Sequence, residues 1–116
     1  LKSDGTNTSK AITEKGYFTV TSSAITAFTA VAGDQLLVDT TQTTVTITLP
    51  AAPAVGDEIV IIDARGTFAS NNLTIERNGK PINSGTNNLA LATNGQAITL
   101  VFIDSTRGWA YKTNTA

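Results

Sequence analysis

"TTVTITLP", residues 43 to 50, sets valines, isoleucines and leucines against threonines in strict alternation. Val45, Ile47 and Leu49 fall on one side and Thr44, Thr46 and Thr48 on the other, the period of two that marks a half-buried β-strand. Pro50 and Pro53 then stop the ladder, because proline offers no N–H, and "PAAPAVGD" crosses as an extended loop turning at Gly56-Asp57. "EIVIID", residues 58 to 63, is apolar at four successive positions and reads as a central strand covered on both faces. Upstream, "QLLVD" is a short buried strand, and "YFTVTSSAITAFTAVAG" from Tyr17 carries strand texture to a turn at Gly33-Asp34. Residues 1 to 16, rich in Ser, Thr, Gly, Asn and Lys without a sustained period, read as an extended N-terminal arm or linker.

Downstream, two Asn-Gly pairs give the strongest local signals. In "NLTIERNGKPIN" the tip is Asn78-Gly79, which suits a two-residue hairpin because both tip residues need positive φ. Pairing outward sets Arg77 opposite Lys80, Glu76 opposite Pro81 and Ile75 opposite Ile82, with Pro81 assigning the returning strand to an edge. In "LALATNGQAITLVF" the tip is Asn94-Gly95, and the expected pairs are Thr93 with Gln96, Leu91 with Ile98 and Leu89 with Leu100. The chain then turns through Ser105-Thr106-Arg107-Gly108 and returns as "WAYK" beside "ITLVFID".

Eight or nine short strands without a helical window predict an all-β domain over residues 17 to 116, an antiparallel β-sandwich or jelly-roll-like fold. No tandem repeat is evident. With 116 residues the chain is one domain holding one modest core.

Composition closes several functional classes. There is no cysteine and no histidine, which removes disulfides, thiolate zinc, thiol chemistry and the commonest general base. A net charge of −1 gives no field to draw nucleic acid or an anionic membrane. The apolar runs, such as Ile59 to Ile62, are far short of the roughly 20 residues of a membrane helix, so a soluble chain is expected. Leu1 opens the chain and no methionine occurs in it, which fits either processing or a piece of a longer polypeptide.

Candidate sites are few. Asp57-Glu58 is the only adjacent carboxylate pair, but strand neighbours face opposite ways, so Asp57 reads as a cap on the Gly56 turn and Glu58 as a solvated strand-entry residue. Asp39, Asp63 and Asp104 sit at predicted strand ends without a calcium-loop pattern and read as turn formers. Gly66, Asn71 and Asn72 resemble a phosphate cradle only loosely, since no helix follows. Asn7-Thr8-Ser9 and Asn72-Leu73-Thr74 match the glycosylation pattern by chance composition. Trp109 and Tyr111, two apart on one strand face, suit either a sugar-stacking platform or aromatics of the core or a subunit interface, and the second reading is favoured. No catalytic, metal or cofactor residue is expected.

The blocks "AGDQLLVDTT", "VTITLPAAPAVGDEIVIIDARGTFASNNLTIERNGKPI" and "LALATNGQAITLVFIDSTRGWAYK" resemble a module of tailed-bacteriophage surface proteins, in tail fibres and related virion proteins of marine and cyanobacterial phages. The resemblance spans about Thr29 to Lys112. It implies a small β-domain, commonly trimeric, on a fibre, tail or capsid exterior. The expectation is therefore a non-enzymatic virion structural protein whose partners are its own copies and other virion proteins. The alternative is a module binding a host surface glycan through Trp109 and Tyr111.

Overall fold

A computed structural model describes residues 16 to 115, and those residues form nine strands and no helix. The strands are β1 (Tyr17–Thr21), β2 (Ala27–Thr29), β3 (Gln35–Asp39), β4 (Val45–Thr48), β5 (Glu58–Asp63), β6 (Leu73–Glu76), β7 (Leu89–Leu91), β8 (Ala97–Asp104) and β9 (Gly108–Thr115). They build a five-stranded sheet in the order β1-β3-β5-β8-β9 and a four-stranded sheet in the order β2-β4-β6-β7. The core lies between them, as expected of a sandwich. The expected arm falls outside the described residues apart from Gly16, whose carbonyl accepts a 3.4 Å hydrogen bond from Gln35 Nε2.

The antiparallel expectation is corrected. From β1 to β6 the chain alternates between the two sheets, so each strand lies beside the one placed two earlier, and four of the seven ladders are parallel. The first half of the domain is thus a flattened coil with two strands per turn. A jelly roll is antiparallel throughout. Only the β5–β8, β6–β7 and β8–β9 ladders are antiparallel here, and β8–β9 is the hairpin the sequence predicts.

A repeated turn marks the coil. Before β3, Asp34 N–H donates to Val31 O at 3.1 Å and Asp34 Oδ2 accepts from Val31 N–H at 2.9 Å. Before β5, Asp57 and Ala54 make the same two bonds, at 3.0 and 2.8 Å. Gly33 and Gly56, with φ of 88° and 90°, supply the left-handed step that each turn requires. The expected cap at Asp57 is present, and a structural repeat exists where none was evident in sequence.

Both Asn-Gly turns form, yet neither closes its expected hairpin. At Asn78-Gly79 the φ values of 53° and 86° and the 3.3 Å bond from Lys80 N–H to Arg77 O fit the predicted tight turn. Ile75, however, pairs with Ile47 and Leu89, while Ile82 bridges to Trp109 in the other sheet. Pro81 has no N–H to give and lies at a sheet margin, where its carbonyl takes the Trp109 N–H at 2.8 Å. At Asn94-Gly95 only the glycine has positive φ, 79°, and the turn carries the chain from β7 in one sheet to β8 in the other. Leu91 therefore pairs with Leu73 and Ile98 with Ile61, not with one another.

Burial follows the alternation. Val45 and Ile47 from β4, Ile59 and Ile61 from β5, Leu73 and Ile75 from β6 and Ile98 and Leu100 from β8 are all buried. Each contributes about 1.5–3 kcal/mol relative to an exposed side chain. Phe68 reaches this core from the loop between β5 and β6 and is fully buried. In β5 the expectation of two covered faces is corrected: Val60 and Ile62 are only half-buried, because nothing among the described residues covers their side of the sheet.

Candidate functional site

Trp109 and Tyr111 begin β9, and they do not form an open platform. Trp109 is fully buried, edge-on to Phe102 with ring centroids 5.5 Å apart, and its indole Nε1 has no hydrogen-bond partner among the described residues. Tyr111 is half-buried against the core, and burial pushes its hydroxyl above the ordinary phenol range. A stacked sugar needs a free ring face, and Trp109 offers none.

Beside Trp109 a small strap bonds to the backbone at the start of β9. Ile82 and Gly85 exchange backbone hydrogen bonds of 3.0 and 2.9 Å around Asn83-Ser84, which adopt φ of 50° and 66°. Asn83 N–H reaches Trp109 O at 2.7 Å and Ser84 N–H reaches Arg107 O at 2.8 Å. Gly108 makes this approach possible, since a Cβ there would stand 1.8 Å from Pro81 O.

The buried carboxylates are consumed by the backbone. Asp63 Oδ1 accepts from the N–H groups of Arg65, Gly66 and Thr67 at 3.3, 2.9 and 3.1 Å. Its Oδ2 accepts from Phe68 and Gly95 at 3.1 and 2.8 Å. One side chain thus ties the loop after β5 to the Asn94-Gly95 turn. Asn94 adds an acceptor for Ala69 N–H at 2.8 Å, and Asn71 Nδ2 donates to Thr40 O at 2.8 Å. Gly66, Asn71 and Asn72 therefore belong to a clamped loop, not an anion cradle.

Asp39 plays the same part after β3, accepting from Thr41 N–H at 2.9 Å and Thr41 Oγ1 at 2.6 Å, with Arg65 Nε 3.5 Å away. The Thr41 hydroxyl first, then its N–H, hold the Asp39 carboxyl below its ordinary value near 3.8 against the opposing effect of burial, with Arg65 adding to the lowering. Asp104 accepts from Thr106 and Arg107 N–H in the β8–β9 turn at 2.9 and 2.6 Å. The turn-former reading thus describes all three residues. The reach of Asp63 was not foreseen; its sequence signal is an aspartate ending an apolar strand just before Ala-Arg-Gly. Among the described residues, no group of three or more Asp or Glu is placed to hold a metal ion.

The two outer faces differ in chemistry. The four-stranded sheet presents Ala27, Thr29, Thr46, Thr48, Thr74, Glu76 and Ala90, the residues between its buried positions. On the five-stranded sheet, half-buried Leu37, Val60, Ile62 and Val101 occupy the corresponding positions at the centre, among Thr19, Gln35, Glu58, Ala97 and Thr99. Glu58 and Lys112 form a 3.1 Å ion pair across this side. No protein-family model matches the chain, and no curated protein matches it.

Proposed function

We propose that this chain is a non-enzymatic structural module of a tailed-phage virion, displayed on the capsid exterior or a tail fibre and self-associating as a homotrimer. The observation that carries the reading is the use of the polar groups: Asp39 and Asp63 accept hydrogen bonds from the backbone turns they shape. Carboxylates committed in this way fix loops; they do not face a substrate. The resemblance of "GTFASNNLTIERNGKPI" and "GWAYK" to phage surface modules supplies the setting. A glycan-binding role through Trp109 and Tyr111 is disfavoured by the burial of Trp109.

The test is gold-labelled antibody against the domain, applied to intact phage particles from a lysate that contains the protein. Label on the head exterior or a fibre is the expected result. Protein that separates entirely from particles on a density gradient would contradict the proposal.

A further inference from the structure

We infer that the outer face of the five-stranded sheet is where copies of this chain dock on one another, an inference that rests on the structural reading above. Two faces of one sandwich, built by the same alternation, have diverged in composition, and the four-stranded side serves as the internal comparison. There the outward positions are threonine, alanine and Glu76, the composition of a solvated strand surface. On the five-stranded side only the centre is apolar: Leu37 lies opposite Ile62, Val60 lies between Gln35 and Thr99, and Val101 lies between Glu58 and Ala110.

Two large apolar residues are exposed near one end of this sheet. Val55 is 76% exposed and Ile103 41% exposed. Their chain neighbours are joined at one end of the sheet, where Gly56 N–H donates to Phe102 O and Phe102 N–H to Asp57 O, both at 2.9 Å. Strands about 4.8 Å apart and rising about 3.3 Å per residue give a five-stranded face of roughly 24 by 17 Å in projection. That is about half of the ~800 Å² per partner in a standard interface, so docking uses surface beyond it, and the exposed Val55 and Ile103 at its end are the apolar residues available for that.

Charge selects the occupant. The charged side chains bordering the apolar centre are paired within the chain, Glu58 with Lys112 at 3.1 Å and Asp39 with Arg65 at 3.5 Å. A face so neutralised gives no reason for an oppositely charged partner and does not repel its own copy. In the homotrimer each copy turns this same face toward the threefold axis, where it meets both neighbours.

Native mass spectrometry and sedimentation on the full chain test this, comparing the unmodified protein with Val60→Lys, Val55→Lys and a control, Thr74→Lys. Val55→Lys lies in an exposed loop and keeps the test valid if lysine at Val60 disrupts folding, which circular dichroism reports. The expected result is an oligomer that Val60→Lys and Val55→Lys weaken by about tenfold or more in dissociation constant, through an unpaired buried charge. Thr74→Lys leaves its number of copies and its dissociation constant unchanged. An oligomer indifferent to both lysines would overturn this face while leaving self-association standing. An unmodified chain that stays monomeric at all concentrations would overturn both, including when hydrogen exchange shows the face protected by the chain's own residues.

Discussion

Gly108 and Gly95 share a left-handed backbone, φ 73° and 79°, but have unlike surroundings. A Cβ on Gly95 meets nothing within 4 Å, whereas one on Gly108 would collide with Pro81 O at 1.8 Å. Gly95→Ala should therefore cost only the backbone term, about 1–2 kcal/mol. Gly108→Ala should cost more than about 3 kcal/mol, because the strap beside Trp109 must move; urea midpoints compare the two. At Asp39, the folded carboxyl titrates below its unfolded value. Its contribution is thus fully present above the ordinary carboxylate range and is lost as pH falls through the lowered folded value. Asp39→Asn should flatten that part of the acid limb in a pH series of thermal melts, and an unchanged limb would show that the Thr41 contacts do not stabilise the fold.

Among the elements, β4 and the β8–β9 hairpin were legible in sequence because each is decided locally, by strict alternation in one case and a short polar turn in the other. The Asn94-Gly95 turn joins strands of different sheets for a physical reason. Leu91 and Ile98 must both reach the core, and that demand is met equally by partners in one sheet and by strands facing each other across the sandwich. The dihedrals separate the cases: Asn78 adopts φ 53°, while Asn94 does not enter the left-handed region. Asn78 Nδ2 also donates to Leu49 O at 2.9 Å. Replacing Asn78 by alanine should cost about 2 kcal/mol and Asn94 by alanine about 1 kcal/mol or less, measured by chemical denaturation. Equal costs would mean that the backbone difference carries no energy. The parallel ladders escaped detection because Val31-Ala32-Gly33-Asp34 and Ala54-Val55-Gly56-Asp57 share a turn geometry but only the Gly-Asp pair position by position.

For the whole molecule, the coil of β1 to β6 and its antiparallel closure by β8 and β9 leave one outer face rich in threonine and the other apolar at its centre. Trp109 and Tyr111 are legible as aromatics on one strand, but full burial of Trp109 against Phe102 and half-burial of Tyr111 against the core are set by tertiary packing that sequence does not encode locally. The outer-face asymmetry likewise appears only once β3, β5 and β8 are neighbours, since Leu37, Val60 and Val101 are far apart in the chain. A structural module that assembles through that face must exist as more than one copy in solution. Native mass spectrometry of the purified chain at micromolar concentration measures this directly: a species at three times the 12.1 kDa chain mass is expected, and a lone 12.1 kDa monomer across the concentration range would overturn assembly through this face.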